Sequence, residues 1–348
     1  MTVRIGLVGC GFIAALHSRS LKALTAGGLI DAEVVATCDL DRSRAEAFAA
    51  ASDAFATTDP AEVVAEADAV YVCTPTSSHR PLLELAAGAG RAVFCEKPLA
   101  TTLADAEAMA LAAAAVPNQV GLVLRTAPAY RALVDLVTGG TLGRPLAAVF
   151  RDDQYWPTQG QYASTWRGDV AVAGGGTLLE HSIHDLDVLR WLFGDAESVT
   201  ARTANFAGHP GVEDVAVATL RFGGGVTASL TSVWHQVMSR PSTRALEVLC
   251  EHGVVAVGDE HAGPLVVTTD DGTRTVTCEP PPEVADLPVD DRWRRAVAAY
   301  APQALAFVTA VADGRPPAPD LGVALAAHRL ADAVYRSAAA EGAPVALS

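Results

Sequence analysis

Lysine is almost absent from this sequence. Among 348 residues only Lys22 and Lys97 carry an ammonium group, and arginine supplies the rest of the 25 basic side chains. Positive charge as a whole is scarce, because 40 acidic residues leave a net charge of −15. That balance argues against a sequence-independent grip on nucleic acid or on an anionic membrane surface. It does not exclude an anionic substrate, since a few local arginines can dominate one pocket. Long apolar runs are missing too, and none reaches the ~18 residues needed to cross a bilayer. The N-terminus passes straight from Met1 into a strand-like segment, Val3 to Gly9, without a charged leader ahead of an apolar stretch. The expected location is the cytoplasm. The six cysteines, Cys10, Cys38, Cys73, Cys95, Cys250 and Cys278, include no C-x-x-C pair. They read as buried free thiols of a reducing compartment, not as disulfides or a zinc site. No internal repeat or low-complexity linker interrupts the chain.

Half the residues are hydrophobic and 19% are charged, so a sizeable core is possible. The length suggests about two domains. Up to about residue 124 the pattern alternates strands and helices. Strands are expected at Val3–Val8, Glu33–Cys38, Ala69–Cys73, Ala92–Cys95 and Val120–Leu124. Helices are expected at Phe12–Ala26, Arg42–Ala51, Pro81–Ala89 and Leu103–Ala115. Such alternation predicts a doubly wound parallel α/β sheet covered on both faces. From residue 125 to 348 the pattern changes to α+β. Strands are expected at Pro145–Phe150, Val199–Thr203, Val215–Phe222, Gly225–Val233, Ala245–Cys250 and Val254–Val257. Hairpin turns fit Gly223-Gly224-Gly225 and His252-Gly253. One helix is expected over Leu178–Phe193, and two more near Arg292–Ala312 and Leu321–Ala340. This predicts a large open, mainly antiparallel sheet with helices on one side.

Gly9-Cys10-Gly11-Phe12-Ile13-Ala14 follows the first strand and opens the first helix. A lone G-x-G-x-x-A is weak, but here it has the strand–turn–helix context that the motif requires. Gly9 allows a tight turn, and Gly11 lets backbone approach a pyrophosphate. The start of the helix, with Phe12 and Ile13, offers free N–H groups to the phosphates. Asp39 ends the second strand, where a carboxylate can accept both ribose hydroxyls and would repel the 2′-phosphate of NADP. Asp41, two residues on, reads better as a turn acid. The expected cofactor is therefore NAD in preference to NADP, although Arg42 and Arg44 lie nearby.

Lys97 stands in Cys95-Glu96-Lys97-Pro98, directly after an apolar strand. The carboxyl ends of strands carry the ligand site in open α/β sheets. An ammonium there can donate to a substrate hydroxyl; the plainer alternative is a loop lysine without a role. Lys22, on the first helix, reads as a surface residue. Further on, Gly174-Gly175-Gly176 precedes a segment in which Leu179, Ile183, Leu186 and Phe193 form an apolar stripe. Glu180, His184, Asp187 and Trp191 form a second, polar stripe at helical spacing. A histidine between carboxylates suits general acid/base work. Two alternatives remain at this level: a solvent-facing polar helix, and a metal site using Glu180, His184 and His181. No metal is the favoured reading.

Together these residues resemble the Gfo/Idh/MocA oxidoreductases, relatives of glucose–fructose oxidoreductase and inositol dehydrogenase. The resemblance runs from Gly9-x-Gly11 through Cys73-Thr74-Pro75-Thr76-Ser77-Ser78-His79 and Glu96-Lys97-Pro98. It continues through Trp166-Arg167 and Gly174–Asp187 to Ala331–Ser337. It implies a Rossmann domain, an open-sheet C-terminal domain, a cofactor at their junction, and a dimer or tetramer through the C-terminal sheet. It also implies that Lys97 and His184 are catalytic, that Thr74, Pro75 and His79 lie along the cofactor, and that Glu96 is near the nicotinamide. Asp187 would support its helix or bind substrate. The family pattern usually has Asp where this chain has Glu180 and Gly where it has Ser182, which bears on substrate identity more than on reaction type.

The reaction so implied is hydride transfer between a nicotinamide and a carbinol or keto carbon of a sugar, cyclitol or derivative. His184 would move the hydroxyl proton, with Lys97 stabilising the oxygen and Glu180 assisting. Arg125, Tyr155, Arg167 and Asp187 complete the expected substrate pocket. Tyr155, Trp156, Tyr162 and Trp166 offer rings that could stack on a sugar or serve an interface. A glycosidase using transient oxidation, or a non-catalytic sugar or dinucleotide sensor, would use the same scaffold.

Overall fold

The computed structural model describes residues 2–258 and 263–347. The first six strands are β1 (Val3–Val8), β2 (Ala32–Cys38), β3 (Phe55–Thr57), β4 (Ala69–Val72), β5 (Ala92–Cys95) and β6 (Asn118–Val120). They are joined through α1 (Phe12–Ala26), α2 (Arg42–Ala50), α3 (Pro60–Glu66), α4 (His79–Gly88) and α5 (Leu103–Ala112). The strands form one parallel sheet in the order β3-β2-β1-β4-β5-β6. Val3, Ile5 and Leu7 of β1 pack on one face with Leu21 and Leu24 of α1. Val8 faces the other side, with Val63 of α3 and Leu83 of α4. A strand covered on both faces needs non-polar residues at consecutive positions, as β1 has from Ile5 to Val8, with Arg4 exposed near its start. The strand order reverses between β1 and β4, so a crevice opens at their carboxyl ends.

Two local expectations change here. β3 and α3 were not foreseen, although Asp59-Pro60 carries a start signal: Asp59 accepts the Ala61 N–H at 2.9 Å and Pro60 sits in the first turn. The strand expected over Val120–Leu124 ends at Val120 and gives way to a 3-10 turn, Val123–Arg125. The cause is Gly121, where a Cβ would lie 2.7–2.8 Å from the Glu96 carboxylate. The chain bends around that carboxylate.

The following region contains α6 (Pro128–Thr138), β7 (Pro145–Tyr155), α7 (Val170–Ala173), α8 (Thr177–Glu180) and α9 (Ile183–Phe193). Next come β8 (Ala196–Ala204), β9 (Val215–Phe222), β10 (Thr227–His235), β11 (Thr243–Cys250), β12 (Gly253–Val257), β13 (Leu265–Thr269) and β14 (Gly272–Val276). With β15 (Val345–Ala346) they form a sheet in the order β14-β13-β12-β11-β7-β10-β9-β8-β15. All neighbours are antiparallel except β7 and β10. In β10, Ala228, Leu230, Ser232 and Trp234 are buried and the alternate residues are not, the two-residue period of a sheet with one covered face. β7 outruns its expected end at Phe150 because Asp152, Asp153 and Gln154 continue the strand as buried polar residues. Their partners lie far off in sequence.

The single helix expected over Leu178–Phe193 is two helices, broken at His181 and Ser182. Ser182 Oγ lies 3.1 Å from Asp152 on β7 and 2.6 Å from Ser232 Oγ on β10. These contacts hold the chain out of helical course.

The last helices are α10 (Pro282–Ala285), α11 (Asp291–Ala312) and α12 (Leu321–Ala339). Val297, Ala301, Ala304 and Val308 of α11 join the apolar layer over β1 and α1. By length and composition α11 could cross a membrane; here its stripe belongs to a core. The chain thus divides into Met1–Val123 with Pro280–Leu325, and Leu124–Glu279 with Ala326–Ser348. The division at 124/125 expected from sequence assigned 280–325 to the second domain. The structure groups that segment with the first.

Candidate active site

Gly9 follows β1 with φ of 89°, and a Cβ there would stand 2.7 Å from the backbone of Cys73. Both conformation and space demand glycine. Gly11 caps α1 with no side-chain hydrogen bond, and nothing lies within 4 Å of where its Cβ would be. A helix start of this kind, at Phe12 and Ile13, is the type of site that suits an anion. Asp39 accepts the Cys10 N–H at 2.8 Å through one oxygen and the Asp41 N–H at 2.9 Å through the other. Each oxygen keeps a lone pair for a ribose hydroxyl. Asp41 is the N-cap of α2, accepting the Ser43 N–H at 3.0 Å. An uncapped helix start beside a backbone-anchored carboxylate fits a dinucleotide. Cys10 and Cys38 lie beside this loop, and burial pushes their thiols up to about 12 and about 11. All six cysteines are free and buried.

At the next crossing, His79 is buried with Nε2 2.9 Å from the Thr74 carbonyl and Nδ1 2.9 Å from that of Pro98. It ties the Thr74-Pro75 loop to the Lys97-Pro98 loop. Glu96 is buried as well and accepts from His17 Nε2 at 2.7 Å and from the Lys97 N–H at 3.2 Å. Burial pushes the Glu96 carboxyl up. The hydrogen bond from His17 and the positive charge of Lys97 outweigh burial and hold it below its ordinary range. Sequence reasoning missed His17. The available signal was its place on the buried stripe Ala14, His17, Leu21, Leu24 of α1. Lys22, one helical step away, donates to the Ala51 carbonyl.

In the second unit Glu180, His184 and Asp187 are only 2%, 5% and 1% exposed, so the solvent-facing polar helix is excluded. His184, Asp187 and Trp191 share one helix, α9, but Glu180 ends α8 before the break and does not continue their stripe. Glu180 accepts from Arg167 Nε at 2.9 Å, and the Arg167 guanidinium lies 4.4 Å from the Trp166 ring centre. Asp187 accepts a two-pronged pair from Arg125, at 2.7 and 2.8 Å. Burial raises the Asp187 carboxyl, and Arg125 offsets only part of that. The expected substrate residues are thus assembled largely as two ion pairs. Tyr155 ends β7 with its ring 5.8 Å from that of Tyr162. Trp156 is buried against Val212 and Trp234, which removes it from any sugar-stacking surface.

The glycines before α8 have a steric cause. A Cβ on Gly176 would fall 1.8 Å from the Glu213 carbonyl oxygen. Glu213 in turn accepts the Gly176 and Leu178 N–H groups at 2.8 and 2.9 Å and the Tyr335 hydroxyl at 3.0 Å. Beyond the break lies a cluster that sequence reasoning did not find. His181 Nε2 is 3.1 Å from Asp152, and Arg244 reaches Asp152 at 3.1 Å and Asp185 at 2.8 Å. Burial, then the neighbouring Asp152, pushes Asp185 up to about 8. Among the described residues, no group of three or more His, Cys, Asp or Glu is placed to hold a metal ion.

Residues 3–123 match the NAD-binding Rossmann domain of an oxidoreductase family, and residues 130–256 match the GFO/IDH/MocA C-terminal domain. The chain is 32% identical over 358 residues to an inositol 2-dehydrogenase of Rhizobium meliloti (strain 1021), covering 97% of this chain and 98% of that one. The WlbA dehydrogenase of Bordetella pertussis, solved with NADH and UDP-GlcNAcA, superposes with a TM-score of 0.83 at 28% identity, covering 100% and 98%. A levoglucosan dehydrogenase solved with NADH and levoglucosan shares the fold, with a TM-score of 0.88 at 23% identity and full coverage of both chains. An NAD-binding Rossmann domain joined to an open-sheet domain defines the class. This chain belongs to the GFO/IDH/MocA oxidoreductases, and its cofactor is NAD.

Proposed function

We propose that this protein is an NAD-dependent dehydrogenase or reductase acting on a hydroxyl or keto carbon of a cyclitol, sugar or sugar derivative. The observation that carries this reading is the setting of His184. It is a buried histidine on the helix of an Arg125–Asp187 pair, shortly after an Arg167–Glu180 pair. Carboxylate–guanidinium pairs present acceptors and donors together, which suits the several hydroxyls of a polyol. The relationship to an inositol 2-dehydrogenase supports the same substrate class.

Bound NAD(H) supplies or accepts the hydride. His184 takes the hydroxyl proton in oxidation and returns it in reduction. Lys97 donates a hydrogen bond to the reacting oxygen and stabilises its developing negative charge. Glu180 and Asp187, oriented by Arg167 and Arg125, receive neighbouring hydroxyls. Gly9, Gly11, Phe12, Ile13 and Asp39 hold pyrophosphate and ribose, with Thr74, Pro75 and His79 shaping the crevice. Asp39 disfavours NADP. The open face of the large sheet exposes Val149, Val217, Leu249 and Val266, which supports a homodimer or homotetramer formed there.

The test is the change in reduced-nicotinamide absorbance with NAD(H) and NADP(H) over a panel of cyclitols, aldoses and keto-sugars. Turnover of one class, lost in Lys97→Ala and His184→Ala while cofactor still binds, is the expected result. Cofactor binding without turnover of any polyol or keto-sugar would overturn the reading.

A further inference from the structure

The Rossmann unit buries a polar pair that the proposed chemistry leaves unused. His17 is 0% exposed and Glu96 only 6%. The imidazole is boxed by Phe94, Tyr71 and Tyr300, at ring-centre distances of 4.9, 5.4 and 5.6 Å. Its Nδ1 has no hydrogen-bond partner among the described residues. A proton on Nδ1 would be a buried donor with nothing to receive it. Nε2 is therefore the nitrogen that donates, and it faces a Glu96 oxygen at 2.7 Å. The other Glu96 oxygen accepts the backbone N–H of Lys97 at 3.2 Å. A Cβ on Gly121 would stand 2.7–2.8 Å from the carboxylate, so a side chain there would push the carboxylate from its place. The carboxylate is thus fixed by α1, by the Lys97 backbone and by the bend after β6.

The surrounding titratable groups sharpen the pairing. Tyr71, Cys73 and Cys95 are all held in their protonated forms by burial. Lys97 contributes positive charge that favours the Glu96 anion. Such an interaction is reciprocal, so the Glu96 anion favours the Lys97 ammonium equally.

We propose that His17 and Glu96 are a positioning pair for Lys97: His17 orients the buried carboxylate, and the carboxylate holds Lys97 as a hydrogen-bond-donating ammonium. The inference rests on Lys97 being an active-site group. It makes Lys97 an electrostatic donor and leaves proton transfer to His184. It also joins α1, whose first turn receives the pyrophosphate, to the end of β5 that carries the lysine.

The chain has two lysines, so selective ¹³C labelling of lysine side chains gives two sets of signals, assigned with Lys22→Arg. The Lys97 titration is then read without any substrate. Glu96→Gln lowers the Lys97 pKa by about one unit or more. Glu96→Asp, which keeps the charge, retains most of the wild-type value. His17→Phe lowers it by less than Glu96→Gln does, and His17→Gln, whose amide can donate to the same carboxylate, restores it. Circular dichroism establishes that each variant is folded. An unmoved Lys97 titration in folded Glu96→Gln overturns the proposal. Should Glu96→Gln not fold, identical titrations in His17→Phe and wild type overturn it. A shifted titration in a protein that turns over no polyol leaves the pair standing and removes the dehydrogenase reading; turnover without the shift does the reverse. With a substrate in hand, Glu96→Gln lowers kcat and moves the alkaline limb of its pH profile downward, while KM for NAD stays near wild type.

Discussion

The two polar regions of this molecule follow opposite electrostatic plans. The dinucleotide loop presents backbone: an uncapped helix start, two glycines, and one carboxylate anchored to main-chain N–H groups. The region around α8 and α9 presents buried side chains already joined in ion pairs, Arg125–Asp187, Arg167–Glu180 and Arg244 with Asp152 and Asp185. Backbone donors need no charge to be desolvated, and need only room and the right torsion. Buried charges need both partners present, because removing one strands the other. Damage to the first region should therefore fall mainly on binding, and damage to the second on the fold.

Arg244→Met gives the largest expected effect. Arg244 is 4% exposed and pairs with both Asp152 and Asp185. Losing it should cost about 3–5 kcal/mol, seen as a large fall in Tm. Adding Asp152→Asn should recover part of the loss, since one stranded charge is removed. A single variant that melts like wild type would break the contrast at once.

The glycines come next. Gly9→Ala forces an L-residue into a left-handed torsion, about 1–2 kcal/mol, and drives its Cβ into the Cys73 backbone. Both Tm and NAD affinity should fall. Gly11→Ala meets nothing within 4 Å in the protein. Tm should hold while NAD binding by calorimetry weakens, if the pyrophosphate approaches Gly11 as proposed. If Gly11→Ala lowers Tm as much as Gly9→Ala, the loop is a structural turn and not a binding surface.

A pH dependence follows from Asp185. Its folded pKa is about 8, against about 3.9 for an unfolded aspartate. Between those values the folded state keeps a proton that the unfolded chain has released. Stability is therefore greatest at low pH on this account, falls as pH rises, and levels off above the folded value. Asp185→Asn should flatten that slope in Tm, measured from about pH 5 to about pH 8. An unchanged slope would mean that the cluster titrates as a fully ionised pair around Arg244.

The same contrast explains what could be read from sequence. The Rossmann half was legible because its signals are local: a glycine pair after a strand, an acid ending the next strand, a lysine after β5. The ion-paired half was legible only residue by residue. Arg125 and Asp187 lie 62 positions apart, and Arg244 and Asp185 lie 59 apart, so spacing could not join them. The break at Ser182 depends on Asp152 and Ser232, which are also remote. α11 misled for a related reason. Its apolar stripe announces a buried helix but does not say which core it enters.

The last expected effect concerns Glu180, where the resemblance implies an aspartate. Shortening the side chain by one methylene withdraws the carboxylate from Arg167, now 2.9 Å away. Arg167 retains some solvent exposure and its Trp166 contact, so the guanidinium is not stranded. Glu180→Asp keeps the charge in place and should cost less than the ~3–5 kcal/mol of a stranded buried charge. The consequence should appear in substrate preference instead, since an acceptor withdrawn from its arginine meets a different hydroxyl of the ring. Steady-state kinetics over the polyol panel would show it as changed KM ratios between substrates, with KM for NAD unaltered. A uniform loss of kcat on every substrate would instead place Glu180 with His184 in the chemistry. The glutamate would then be part of the catalytic apparatus, and no longer a determinant of which sugar-like ring is bound.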